Sequence, residues 1–259
     1  MSLPDVVSRE EWLAARVRLL ADEKALTRQH DQVNADRRRL PMVRVDKEYV
    51  FGGPEGEVSL AQLFDGRRQL IVQHVMFGPD WEAPCPSCSK AIPQMTPTLF
   101  DGLRNRDTTF VLASRAPYEM IAAAKAERRW DVPWYSTYGS DFNFDYDVSF
   151  DSSHAQSGYN YGSMQVTEGE LPGASCFLRD GDDVYHTYST YARGMEYSTS
   201  SLTYIDFTAL GRQESWEEPK GRADVFHEAN GSLSDLPLSD DLVAGLFNRG
   251  PQVAGGRQR

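Results

Sequence analysis

The segment Leu70-Ile-Val-Gln-His-Val-Met-Phe77, ended by Gly78-Pro79, constrains the fold of this chain more than any other stretch. Its almost continuous apolar side chains suit a strand buried on both faces, as in a parallel sheet covered by helices. A second such run, Thr108 to Ser114, follows a stretch from Ser89 to Arg104 that can be helical, although Pro93 and Pro97 forbid one straight helix. A helix from about Pro117 to Trp130 and a third strand over Pro133 to Tyr138 continue the alternation. This order predicts an α/β layered sheet with right-handed crossovers. Arg179-Asp-Gly-Asp-Asp183, between Ser175–Leu178 and Val184–Ser189, predicts an antiparallel hairpin, and Gly52-Gly-Pro-Glu-Gly56 predicts another between Tyr49 and Phe64.

Ahead of the sheet, Arg9 to Leu40 contains no Gly or Pro and repeats Trp12, Leu19, Leu26, Val33 and Leu40 at every seventh position. One long helix is predicted, or two with a bend, capped by Ser8 with Glu11 completing a capping box and closed by Pro41. Its apolar stripe is narrow, so it is expected across the domain surface or against a second subunit, with packing on its own domain the alternative. Residues 1–41 thus form an N-terminal helical extension, 42–211 the main domain and 212–259 a polar C-terminal extension. Within that extension a short helix is predicted near Asp240 to Phe247, with a frayed tail from Gly250 to Arg259.

A formal charge of −11 over 259 residues, with 40% hydrophobic residues, describes a globular chain and argues against nucleic-acid and membrane-surface partners. No run approaches the roughly 18 consecutive apolar residues of a membrane span. Met1 to Arg18 also lacks the apolar core of a secretory signal, so a cytoplasmic location is expected. The 3 cysteines are too few for a secreted disulfide framework.

Two of them form Cys85-Pro86-Ser87-Cys88, after the first apolar run and at the start of a helix-like stretch. A thiol at a helix start is stabilised as thiolate by the helix dipole and exposed N–H groups, and the second thiol is within reach to close a disulfide. Redox chemistry is the first expectation, and two packed, redox-silent thiols are its competitor. Asp80 and Glu82 would raise a nearby thiol's pKa, and Lys90 would lower it. Structural zinc needs four ligands, which would require Cys176 and some of the 5 scattered histidines to be brought together, so no metal or other cofactor is expected. Haem attachment would need histidine where Ser89 stands. His74 and His186 are the histidines to compare with the dithiol as proton acceptors, against the plainer expectation that both are bonded within the sheet. Asp141-Phe-Asn-Phe-Asp-Tyr-Asp147 lacks the glycine and final carboxylate of a calcium loop, and its alternation predicts a strand or aromatic core. The tyrosines from Tyr185 to Tyr204 suit either a groove or a packed sheet face.

The order strand, loop, C-x-x-C, helix and late hairpin resembles the thioredoxin-like superfamily. Met76-Phe-Gly-Pro-Asp-Trp-Glu-Ala-Pro-Cys-Pro-Ser-Cys88 carries a closer resemblance, together with Ser114-Arg-Ala-Pro117, Pro133-Trp-Tyr-Ser136, Gly139-Ser-Asp-Phe-Asn143 and Tyr185-His-Thr-Tyr-Ser-Thr-Tyr191. Over roughly Arg9 to Gly211 the chain is similar to the DUF899 family, described as thioredoxin-like, predicted dithiol-disulfide isomerases. The resemblance implies a thioredoxin-like (peroxiredoxin-like) three-layer α/β/α sandwich with a long N-terminal helix. It further implies Cys85 as exposed nucleophile and Cys88 as resolving thiol, with Pro86 and Ser87 stiffening the turn and tuning the thiol pKa; Trp81, Pro84 and His74 are the further candidate supporting residues. The implied partner is a disulfide-containing protein or a small thiol or disulfide, with a possible homodimer through the first helix. A peroxiredoxin-like peroxidase is the alternative enzyme, although Glu82 stands where peroxiredoxins place the Thr or Ser of their peroxide pocket. Pro172-Gly-Ala-Ser175 shows no threonine-proline pair, and Gln73 and His74 stand where a thioredoxin buries a carboxylate.

Overall fold

A computed structural model describes residues 3–154, 158–198 and 200–209. The helix and tail expected after Asp240 lie outside these residues. Helix α1 spans Arg9–Arg37, with Ser8 and Glu11 forming the reciprocal capping box. None of its residues is buried. Trp12, Leu19, Leu26 and Val33 stay exposed, so along most of its length the helix is not packed on its own domain. Its last turn reaches the sheet, where the Arg37 guanidinium lies 4.7 Å over the Tyr188 ring.

The remaining elements are β1 (Val43–Arg44), β2 (Val50–Gly53), β3 (Gly56–Ser59), β4 (Gln69–His74), α2 (Pro86–Ala91), α3 (Pro97–Arg104), β5 (Thr108–Ser114), α4 (Tyr118–Arg128), β6 (Trp134–Ser136), α5 (Phe142–Asp145), β7 (Ser149–Phe150), α6 (Tyr159–Gly162), β8 (Gly169–Glu170), β9 (Gly173–Asp180), β10 (Asp183–Tyr191) and α7 (Ser200–Ile205). One sheet runs β1-β10-β9-β4-β5-β6-β2-β3, and β7-β8 forms a separate ribbon. β4, β5 and β6 are parallel, as the alternation predicts, and β9 and β10 run antiparallel beside β4. The two prolines break the expected long helix into α2, a 3-10 turn over Ile92–Gln94, and α3. Both expected hairpins form, β2-β3 and β9-β10.

Strand alternation sorts the core into two layers. On one face α2, α3 and α4 cover Val75, Phe77, Leu112 and Trp134. On the other, Leu70, Val72, Val111, Ala113 and Phe177 pack under Tyr49, Phe64, Phe142 and Tyr146, supplied by the hairpin side, a 3-10 turn and α5. The 141–147 segment is therefore aromatic core on a short helix rather than a strand. At the start of β9 the chain passes so close to its neighbours that a Cβ on Gly173 would sit 2.9 Å from the Tyr191 ring and 3.0 Å from Val148. Gly173→Ala is expected to destabilise by about 1–3 kcal/mol through overpacking, read as a lower urea midpoint.

Candidate functional site

The dithiol lies where β4 runs out. Beyond His74 the chain stays beside β5, with Val75 N–H donating to Ala113 O at 2.9 Å and Ala116 N–H to Phe77 O at 2.8 Å. It then turns at Gly78 and returns, so that Cys85 N–H donates to Met76 O at 2.9 Å. Cys85 is the N-cap of α2, with Pro86 in the first turn, where a missing N–H costs nothing. Both thiols are free, and the two cysteines approach to 3.9 Å. Trp81 and Cys88 pack against Met76 and Cys85, and the indole folds back so closely that a Cβ on Gly78 would lie 2.9 Å from its Nε1. Pro84 is buried beside Cys85, whereas Ser87 is exposed.

One expectation reverses here. Cys85 is not the exposed thiol: its exposure is 0%, while Cys88 is only partly buried. The electrostatics nevertheless favour Cys85 as thiolate. A hydrogen bond from Cys88 leads in lowering its pKa to about 7, burial opposes it, and hydrogen bonds from the Cys88 and Ser87 backbone add to the lowering. Local hydrogen bonds at the helix start, rather than the charges of Asp80, Glu82 and Lys90, are the leading causes. The same bond, then burial, push the Cys88 thiol well up, so one sulfur ionises at the other's expense.

His74 does not serve the dithiol directly. It is buried, with Nδ1 3.3 Å from Asn143 Oδ1 and Nε2 3.0 Å from Ser175 Oγ. Burial holds its pKa down at about 4, so the ring is neutral. An amide oxygen only accepts, which puts the proton on Nδ1 and makes Nε2 the acceptor from Ser175. Ser175 continues to Ser189 at 2.9 Å, and Ser189 to His186 Nε2 at 2.8 Å. Both histidines are thus bonded within the sheet, the plainer of the two expectations.

At its other end this chain reaches a group that the sequence did not single out. Asn143 donates to Glu170, whose carboxylate also takes the Ser149 hydroxyl and lies 3.4 Å from Arg115 Nη1. Burial raises the Glu170 pKa to about 7 against the pull of Arg115. Glu170 sits in a two-residue strand, with no apolar periodicity or motif to mark it as buried. Arg115 follows β5 opposite Met76, and its guanidinium lies 4.6 Å over Phe144, whose other partner is the stacked His154 ring at 3.5 Å. The Asp-Phe-Asn-Phe-Asp motif is accounted for residue by residue. Asp141 and Asp145 pair with Lys47, Phe142 enters the core, Asn143 joins Glu170 to His74, and Phe144 stacks on Arg115.

Tyr159 was also missed. It is fully buried, donates to Pro172 O and accepts from Ala192 N–H, both at 2.6 Å, and is near enough for charge on Cys88 to oppose its ionisation. It is held there by a strained turn in which Asn160 and Tyr161 have φ of 52° and 59°. Cys176 lies within β9, paired with Ile71 rather than placed at the strand ends, and burial raises its thiol to about 11. Among the described residues no group of three or more His, Cys, Asp or Glu side chains is placed to hold a metal ion. Nor is any described helix long and apolar enough to cross a membrane.

Two parallel strands, β5 and β4, continued by the antiparallel pair β9 and β10, with a dithiol at the helix following β4, define a thioredoxin-like protein. The chain belongs to the DUF899 family, described as "Bacterial protein of unknown function", whose profile matches residues 1–230. No curated protein sequence is significantly similar to it. Similar solved structures include a peroxiredoxin Q variant from Xylella fastidiosa (9% identity, 60% of this chain and 88% of that one, TM-score 0.39). A second is a peroxiredoxin Q variant from Xanthomonas campestris (13%, 60% and 90%, TM-score 0.38). A third is a candidate protein disulfide isomerase from Bacteroides thetaiotaomicron (17%, 68% and 95%, TM-score 0.37).

Proposed function

We propose that this protein is a dithiol-disulfide oxidoreductase whose redox centre is Cys85 and Cys88. The observation that carries the reading is the split pair: two free thiols 3.9 Å apart, one held toward thiolate near neutral pH and the other held protonated. A thiolate of near-neutral pKa combines a useful ionised fraction with retained nucleophilicity. Pro86 stiffens the turn, Ser87 contributes to the hydrogen bonding of the thiolate, and Trp81 and Pro84 enclose it. The reaction needs no cofactor, and its partner is a disulfide compound. Redox-silent thiols are the second reading, favoured by the 0% exposure of Cys85.

Alkylation of Cys85 by iodoacetamide across pH separates the two readings. Half-maximal rate is expected near pH 7, following the ionisation of Cys85. Cys88→Ala removes the leading hydrogen bond and moves the midpoint up toward the ordinary thiol value of 9.0. A midpoint at the ordinary value in both proteins, with no Cys85–Cys88 disulfide formed under mild oxidation, leaves the thiols redox-silent. Treating the reduced protein with a hydroperoxide and following formation of the Cys85–Cys88 disulfide tests peroxidase activity.

A further inference from the structure

The cover over Cys85 limits what can react with it. Met76, Trp81 and Cys88 pack around it, and the buried Pro84 precedes it. Met76 is tied through its carbonyl to Cys85 N–H, and the Pro84 carbonyl accepts from Ser89 Oγ at 3.5 Å. The Trp81 side chain is partly exposed, carried on the turn that starts at Gly78 and resting on that glycine. Of the large side chains packed on Cys85, Met76 is buried and Trp81 reaches solvent, and an indole there can move by side-chain rotation alone.

We infer that Trp81 is a size filter and that the substrate of the dithiol is a low-molecular-mass disulfide, neutral or cationic, rather than a disulfide within a protein. The inference rests on the redox reading above. Moving one indole opens a gap of side-chain width, enough for the end of a small disulfide but not for a folded chain. Asp80 and Glu82, the exposed neighbours of Trp81 in the chain, put negative charge on the turn that carries it, which disfavours an anionic disulfide. In the reaction the Cys85 thiolate attacks one sulfur of R–S–S–R, forming a Cys85–S–S–R bond and expelling RS⁻, which takes a proton from water. Cys88, losing its proton to water, then attacks Cys85 Sγ and expels the second RS⁻. Two protein thiols are oxidised to one disulfide and one substrate disulfide is reduced to two thiols; an external dithiol such as dithiothreitol restores the enzyme.

The test mixes reduced protein with cystamine (cationic), dithiodipropionate (anionic, of similar size) or insulin at equal disulfide concentration, and follows the Cys85–Cys88 disulfide by mass. Cystamine is expected to oxidise the pair at least about tenfold faster than insulin and several-fold faster than dithiodipropionate. Trp81→Ala is expected to narrow the cystamine-to-insulin ratio by about tenfold, with Trp81→Phe retaining it. Equal rates with cystamine and insulin, or a folded Trp81→Ala protein with an unchanged ratio, overturn the size filter. Equal rates with the two small disulfides overturn the charge preference. Should Trp81→Ala fail to fold, labelling of wild-type Cys85 decides: iodoacetamide must react and a polyethylene-glycol-coupled maleimide must not, and equal labelling overturns the filter. Failure of the redox reading itself looks different, because no disulfide reagent then oxidises the pair.

Discussion

Cys85→Ser is expected to abolish disulfide-reducing turnover, by at least about a thousandfold, because in the proposed reaction it removes the nucleophile rather than a group that assists it. Cys88→Ser gives a different outcome. A serine hydroxyl still donates to the Cys85 sulfur, so the first attack survives, but nothing resolves the mixed disulfide, and one substrate thiol stays attached to Cys85. Steady-state assays with dithiothreitol as reductant, with intact-mass measurement of the Cys88→Ser protein after one turnover, check both. Activity retained in Cys85→Ser, or no adduct on Cys85 in the Cys88→Ser protein, would reject the assigned roles. Cys176→Ser is expected to leave turnover unchanged, since this thiol lies within β9 and its pKa is raised by burial.

The second large effect concerns stability against pH. Glu170 and His74 belong to one hydrogen-bonded chain but titrate in opposite senses. Between about pH 4.5 and 7 the folded protein keeps a proton on Glu170 that the unfolded chain has released, so this group's contribution falls as pH rises. Between about pH 4 and 6.5 the unfolded chain holds a proton on His74 that the folded protein excludes, so that contribution rises with pH. Each slope approaches about 1.4 kcal/mol per pH unit, and over the shared window they largely cancel. Around Glu170 stand Arg115, Asp151, Ser149 and Asn143, and around His74 stand Asn143, Ser175 and, more weakly, His186. Glu170→Gln is therefore expected to lose stability steeply as pH falls from 6.5 to 4.5, while His74→Gln loses it as pH rises over the same range. Urea midpoints at several pH values read both directly. Two variants with the wild-type slope would show that these groups do not carry the shifts.

Elements defined by local chemistry were legible in the sequence. The α1 cap follows from Ser8 and Glu11, the break in the helix after the dithiol from Pro93 and Pro97, and the parallel strands from two nearly continuous apolar runs. The position of Cys85 at a helix start was legible too, because a strand, a loop and C-x-x-C are contiguous. Its burial was not. The cover over Cys85 combines Met76 from the strand end and Trp81 from the turn, which meet only because the chain reverses at Gly78 and Cys85 N–H returns to Met76 O. The 141–147 segment alternates like a strand yet forms α5, with Lys47 and Arg115, from connections elsewhere in the chain, binding its polar and aromatic side chains. Glu170, read as one polar residue among many, becomes a buried carboxyl only when Arg115, Ser149 and Asn143 converge on it.

The sequence by itself determined the α/β order, the long capped first helix and a dithiol at the C-terminal edge of a buried strand. Each depends on residues within a few positions of one another. The tertiary structure alone decided that the lower-pKa thiol is enclosed, that His74 is neutral and bonded away from the dithiol, and that a near-neutral carboxyl lies beside Arg115. Burial and pKa are set by what surrounds a group in space, and the surrounding groups come from strands and turns that the chain brings together only on folding.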